Sequence, residues 1–229
     1  MRALRSNSLS IFFGVIFLAA LAGQAVAGHD KYNEEQIAHA QMAHEPPQTI
    51  SLARYVSSSD FGRAVTENWQ SEYLQFTLFI LATIWLVQRG SNESKPEDRV
   101  GRESDRDQKV GRHASGSSPK WARVGGLRTF LYSHSLLIVM GAIFIASWLV
   151  QSLTGWTVYN DEQLQHEQAT VSWLGYLGTA DFWEATLQNW QSEFLAVGSM
   201  AVFTIYLRER GSPESKPVGA PHDATGAQG

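Results

Sequence analysis

The chain has no cysteine among its 229 residues, which excludes disulfides, thiolate metal centres and cysteine nucleophiles. Positive charge is also missing from one long stretch: Trp156 to Glu193 contains no Lys or Arg. With a formal net charge of -4, the chain lacks the basic excess that a nucleic-acid partner requires. Phosphate-binding glycine loops, triad spacings and zinc-protease motifs are absent as well, so neither an enzyme nor a bound cofactor is expected.

What is present is four apolar runs, Ile11 to Leu21, Tyr73 to Val87, Ser135 to Leu153 and Phe194 to Leu207, set between charged or polar stretches. This is the profile of a small polytopic membrane protein. Of the eighteen Lys and Arg, two precede the first run, ten lie from Arg89 to Arg128, and three follow the fourth run. A four-span chain puts those three regions on one side, and the positive-inside rule makes that side the cytoplasm. The two remaining loops face outward, and the second is acidic through Asp161, Glu162, Glu167, Asp181, Glu184 and Glu193.

The chain also repeats itself. Asn68-Trp69-Gln70-Ser71-Glu72 recurs as Asn189-Trp190-Gln191-Ser192-Glu193, each directly before an apolar run. At an offset of 127, residues 8–41 match residues 135–168 without a gap at fifteen of thirty-four positions, including Gly28/Gly155 and Tyr32/Tyr159. After a six-residue difference around Pro46-Pro47 the offset becomes 121, and residues 51–96 match 172–217 at twenty-one of forty-six positions. Such matching indicates a duplicated unit. It also bears on the N-terminus, because Arg2, Arg5, the first run and Ala25-Val26-Ala27 read as a signal peptide cleaved after Ala27. The matching Ser135–Leu153 is internal and is retained, so the first run is read as a retained span.

Local signals place the helix ends. Asp60-Phe61 and Asp181-Phe182 read as helix starts, the Asp serving as N-cap acceptor at the positive end of the dipole. Arg89-Gly90-Ser91-Asn92-Glu93-Ser94-Lys95-Pro96 and Arg210-Gly211-Ser212-Pro213-Glu214-Ser215-Lys216-Pro217 read as stops, with a C-terminal cation, a glycine cap and a later proline. The outward loop segments are expected to form separate short helices. The fold class expected is all-α: an integral membrane protein whose four transmembrane helices come from two tandem helical hairpins of parallel topology. Residues 1–96 form the first two-helix repeat, with spans at about 8–27 and 69–88, and residues 127–217 the second, with spans at about 134–154 and 190–208. The linker 97–126 and the tail 218–229 are expected to be disordered, being polar and poor in apolar residues.

The segments Trp69-Gln70-Ser71-Glu72-Tyr73-Leu74 and Trp190-Gln191-Ser192-Glu193-Phe194-Leu195, with the two stop segments, resemble those of a bacterial membrane protein family known only as a domain of unknown function. The resemblance covers nearly the whole chain apart from linker and tail. It implies a bacterial cytoplasmic membrane, multi-pass with both termini inside, and no activity.

Candidate chemistry is sparse. Asn68 and Glu72, and likewise Asn189 and Glu193, are four residues apart on one helical face. An acid at membrane depth is costly unless it pairs or faces water, so these four are the functional candidates, either as a cation or proton site or as polar groups serving their own bundle. Trp69 and Trp190 are the expected interface anchors at the outer headgroup level. His39 and His166, with Glu35 and Glu162 four residues earlier, offer the donors of an outer-face metal site, or are ordinary exposed polar residues. The function expected is that of a non-enzymatic structural or interaction protein of the bacterial envelope. The alternative is a small oligomeric transporter or ion-conducting unit using Glu72 and Glu193. The expected partners are the lipid bilayer and either further copies of the chain, as a homo-oligomer, or other envelope proteins.

Overall fold

A computed structural model describes residues 2–227. Four long helices carry the fold: α1 (Ser8–Ala43), α2 (Ser59–Ala82), α3 (Ser135–Gln165) and α4 (Ala180–Tyr206). Short helices sit at Leu52–Tyr55 before α2, at Trp173–Tyr176 before α4, and at Lys120–Arg123 and Gly126–Ser133 before α3. No strand occurs among the described residues, so the chain is all-helical.

Of the four, α1 and α3 are long and apolar enough to cross a membrane. Their apolar windows are only 6% and 17% buried, unlike the core helix of a soluble protein. Both run well past their apolar stretch. At about 1.5 Å per residue, the 36 residues of α1 extend about 54 Å against a hydrocarbon core of about 30 Å. The polar segment after Gly28 therefore continues α1 and does not form the separate short helix expected for it. α1 stops where His44 turns left-handed, with the His44 and Glu45 amides donating to Gln41 O and Ala40 O. α3 stops in the same way at Glu167, which also has a positive φ.

α2 and α4 begin where expected, but with different caps. Ser58 Oγ accepts from Phe61 N at 3.3 Å and Thr179 Oγ1 from Phe182 N at 3.3 Å, which leaves Asp60 and Asp181 in the first turn. A hydroxyl two residues ahead of each acid satisfies the same free amide, and the acids keep their favourable place on the dipole. The Asn-Trp-Gln-Ser-Glu segments consequently lie inside the helices and not at their starts. α2 ends at Ala82, short of the expected residue 88, as the chain turns through Ile84 and Leu86.

The described chain divides into two compact units, one of residues up to Val65 with Val150–Tyr176, the other of Thr66–Leu149 with the residues from Leu177 onward. In the first unit, the loops after α1 and α3 are held by the same contacts at matching positions. Asn33 exchanges two hydrogen bonds with the Ile50 backbone, at 2.8 and 3.0 Å, and Asn160 does so with Val171 at 2.9 and 3.0 Å. Each side-chain amide thus substitutes for a strand neighbour and fixes an otherwise unpaired backbone. The Trp156 indole and the His29 ring add a further bond to the same carbonyls, Val171 O at 2.7 Å and Ile50 O at 2.8 Å.

Two tyrosines fill the spaces so defined. Tyr55 is 6% exposed and Tyr176 is 2% exposed, and they pack on Tyr32 and Tyr159 with ring centroids 5.9 and 5.4 Å apart. Their hydroxyls press on Gly28 and Gly155. A Cβ on Gly28 would lie 2.3 Å from Tyr55 Oη, and one on Gly155 would lie 2.5 Å from Tyr176 Oη. Only glycine permits that approach.

Asp60 lies in the same unit. Burial pushes its carboxyl above the usual range, and Asp161 and Glu35 add to this, against a backbone hydrogen bond and Arg63. An acid raised on folding contributes stability that is fully present below its unfolded value and is lost as pH rises through its folded value. Asp60→Asn is expected to raise the melting temperature at neutral pH and to flatten its decline as pH rises from 3.8 upward. Thermal unfolding in detergent across that range measures both.

Candidate functional site

The repeated Asn-Trp-Gln-Ser-Glu segments lie in the second unit. What they bury is not the acid. Gln70 is 0% exposed and Ser71 2%, whereas Asn68 and Glu72 are exposed. The Trp190 indole donates to Gln70 Oε1 at 2.7 Å, and Gln70 Nε2 donates to Glu67 O at 3.1 Å. One glutamine thereby joins α2 to α4. Ser71 and Ser192 turn their hydroxyls back to Asn68 O and Asn189 O, at 2.8 and 2.9 Å, closing the local helix turn. Asn189 donates to Ala185 O at 2.9 Å, also within its helix.

Glu72 on α2 and Glu193 on α4 hold matching positions in the two repeated segments. Glu193 is half-buried and Glu72 is on the surface. The two tryptophans are unequal: Trp69 is 37% exposed, while Trp190 is tied to Gln70 and packs near Trp148 at 6.1 Å between centroids. Trp148 collects a cluster, with Phe144, Phe182, Trp183 and Trp190 all within 6.4 Å. Thr186, fully buried, belongs to the same helix as Phe182 and Trp190. Gln70 and Thr186 escape a reading of the sequence because neutral polar residues carry no charge signal. Gln70 is visible there only as one letter of the repeat.

The candidate metal donors belong to the first unit. His39, Glu35, His166 and Glu162 are exposed, and Glu35 pairs with Lys31 at 3.6 Å. No group of three or more His, Cys, Asp or Glu able to hold a metal occurs among the described residues.

A second constellation lies at the two stop segments, which take the same shape. Gly90 and Gly211 have φ of 85° and 86°, the left-handed region that favours glycine, but they turn the loops and do not cap the helices, since α2 has ended at Ala82 and α4 at Tyr206 with Leu207 as its cap. Ser94 Oγ accepts from Gln88 N at 3.0 Å, as Ser215 Oγ does from Glu209 N at 2.9 Å. The Glu93 and Glu214 amides both donate to the Ser two residues before, at 3.1 and 3.2 Å. The Ser, Glu and Ser of the shared segment are thus loop-building residues. The loops also meet: Asn92 Nδ2 donates to Pro213 O at 3.2 Å, and Ser91 bonds Thr204 at 3.1 Å. Burial pushes the Glu93 carboxyl up, and so do the charge of Glu214 and a hydrogen bond with it.

Lys216 is 1% exposed, and its ammonium donates to four carbonyls, Gly90 O (2.6 Å), His222 O (2.9 Å), Ala224 O (3.1 Å) and Pro221 O (3.2 Å). Backbone oxygens satisfy the buried charge in place of an acid. Through them the tail, expected from its composition to be disordered, is tied to the first stop loop, and Gly90 N to Thr225 Oγ1 (2.8 Å) and Gly226 N to Ser91 O (3.0 Å) complete the tie.

No curated protein and no solved structure matches the chain. Across residues 1–227 it matches the family described as a domain of unknown function, DUF6766, and the chain belongs to that family.

Proposed function

We propose that the chain is a multi-pass protein of the bacterial cytoplasmic membrane, crossing four times with both termini inside. In this reading α1 to α4 form two tandem hairpins, and the protein serves as a structural or interaction component of the envelope. The lipid-crossing part is supported by the exposed apolar windows of α1 and α3. The second and fourth crossings rest on the apolar runs Tyr73 to Val87 and Phe194 to Leu207, since the first halves of α2 and α4 are polar. The recurrence of the Asn33 and Asn160 clips, the Tyr–Gly contacts and the stop loops supports the tandem arrangement. Retention of residues 1–27 is supported by the unbroken course of α1 through Ala25–Ala27 to Gly28, where Tyr55 packs.

One observation carries the non-transport reading: the fully buried polar group of the repeated segment is Gln70, bonded to Trp190, while Glu72 is exposed. A pathway for ions needs its acids turned inward. The recurrence of an acid, Glu72 and Glu193, at the matching position of both helices is what favours the alternative, a small oligomeric transporter. Glu72→Gln with Glu193→Gln separates the two. The double variant is expected to keep its folding, membrane yield and co-purifying partners, and liposomes holding it to show the same ion flux as those holding the parent. Loss of a flux that the parent displays contradicts the structural reading.

A further inference from the structure

From Gln108 to Asn160 the sequence contains no Asp or Glu, yet Lys109, Arg112, Lys120, Arg123 and Arg128 crowd its first part. The crowding ends in the helices Lys120–Arg123 and Gly126–Ser133, immediately before α3 begins at Ser135. These two short helices pack on each other through their small residues. Thr129 Oγ1 donates to Trp121 O at 2.6 Å, and Ala122 and Thr129 are buried. The large apolar residues are left outside: Leu127 is 71% exposed, Phe130 58%, Val124 56% and Trp121 49%. A groove of about 980 Å³ beside them has apolar walls from Leu81, Ile84 and Leu137, and its far side carries charges of both signs, Lys109 with Glu103 and Asp105 among them.

We propose that Lys120–Ser133 is an in-plane anchor that lies in the inner headgroup layer and selects anionic phospholipid. This rests on the membrane-spanning reading of α3 given above and adds to it a lipid preference. Three features on one short segment favour lipid over a soluble partner. Its apolar side chains face outward where a globular protein turns them in. Its charges are all of one sign, complementary to an anionic leaflet and close enough to the surface to escape much screening. It also joins an apolar helix after a single residue, His134, which fixes it at the boundary of the hydrocarbon.

The absence of cysteine makes the test direct. Leu127→Cys and Ile138→Cys are made separately in the full chain, spin-labelled, and placed in nanodiscs of phosphatidylcholine with or without phosphatidylglycerol. Depth is read from collision with oxygen against a water-soluble nickel complex. The label at 127 is expected at acyl depth with phosphatidylglycerol and to move toward water in pure phosphatidylcholine or high salt, while the label at 138 stays deep throughout. Lys120→Gln, Arg123→Gln and Arg128→Gln together are expected to abolish the lipid dependence, each charge shifting the buried population about fivefold. A label at 127 that is in water under all conditions, with 138 deep, overturns the anchor and leaves the span intact. A label at 127 that is shielded equally in both lipids overturns the anionic selection. A label at 138 in water removes the span, and the anchor with it.

Discussion

Gly28→Ala and Gly155→Ala are each expected to destabilise the protein by about 1–3 kcal/mol, the usual cost of forcing a methyl group into a packed site. The reason is local. The added Cβ would meet a tyrosine hydroxyl at 2.3 Å in one case and 2.5 Å in the other, and both tyrosines are buried and cannot swing away. A helical alanine is otherwise better than glycine by up to about 1 kcal/mol, so the measured loss is net of that gain. Two controls separate contact from propensity. At Gly14 and Gly23 an added methyl group would have nothing within 4 Å, so Ala there is expected to be neutral or stabilising. Tyr55→Phe removes the atom at 2.3 Å and leaves the ring carbon Cζ at 3.0 Å, so Gly28→Ala is expected to cost less in that background than alone. Thermal unfolding in detergent gives each of these values. Equal losses at Gly14 and Gly28 contradict the contact.

Lys216→Met is expected to free the C-terminal tail and to cost about 2–4 kcal/mol. Four carbonyls lose a charged donor at once, and buried acceptors left unpaired cost about 1–3 kcal/mol before any relaxation. Because Pro221, His222 and Ala224 relax into water once released, the sum falls below four independent bonds. The variant keeps the aliphatic stem, so lost packing is not the cause. Limited proteolysis reads the tail directly: cleavage beyond Pro217 is expected to be fast in Lys216→Met and slow in the parent. The equivalent change at Lys95 is expected to be milder. That amine is part-exposed and bonds Gly101 O, at 3.2 Å, and Glu103, at 3.1 Å.

These two predictions rest on features of unequal legibility. Gly28 and Gly155, with Tyr55 and Tyr176, stand out in the sequence as identities between matching segments. The matching gives no hint that each glycine meets a tyrosine, since the pair is separated by a loop whose course is set by Asn33 and Ile50, or Asn160 and Val171. The stop signals are legible only as the start of a non-helical loop, since α2 has already ended at Ala82 and α4 at Tyr206 and the glycines turn the loops beyond them. Their serines are not, since a hydroxyl accepting from a backbone amide six residues earlier follows no rule of periodicity. Lys216 reads in the sequence only as a charge that sets orientation. Its carbonyl cage is invisible because backbone oxygens come with every residue, and for the same reason a polar tail looks unable to dock. At the repeated segment, the cost of a buried charge draws attention to Glu72, and the burial falls instead on its neutral neighbour Gln70.

The side on which each segment lies is the claim on which the rest depends. Single cysteines in an otherwise cysteine-free chain measure it, at Ser57 and Ala169 in the two loops, at Ser117 in the linker and at Ala224 in the tail. An impermeant maleimide applied to intact spheroplasts is expected to label Ser57→Cys and Ala169→Cys at once, and Ser117→Cys and Ala224→Cys only after the membrane is opened. Labelling of the linker from outside, or of one loop and not the other, contradicts four spans with both termini in the cytoplasm.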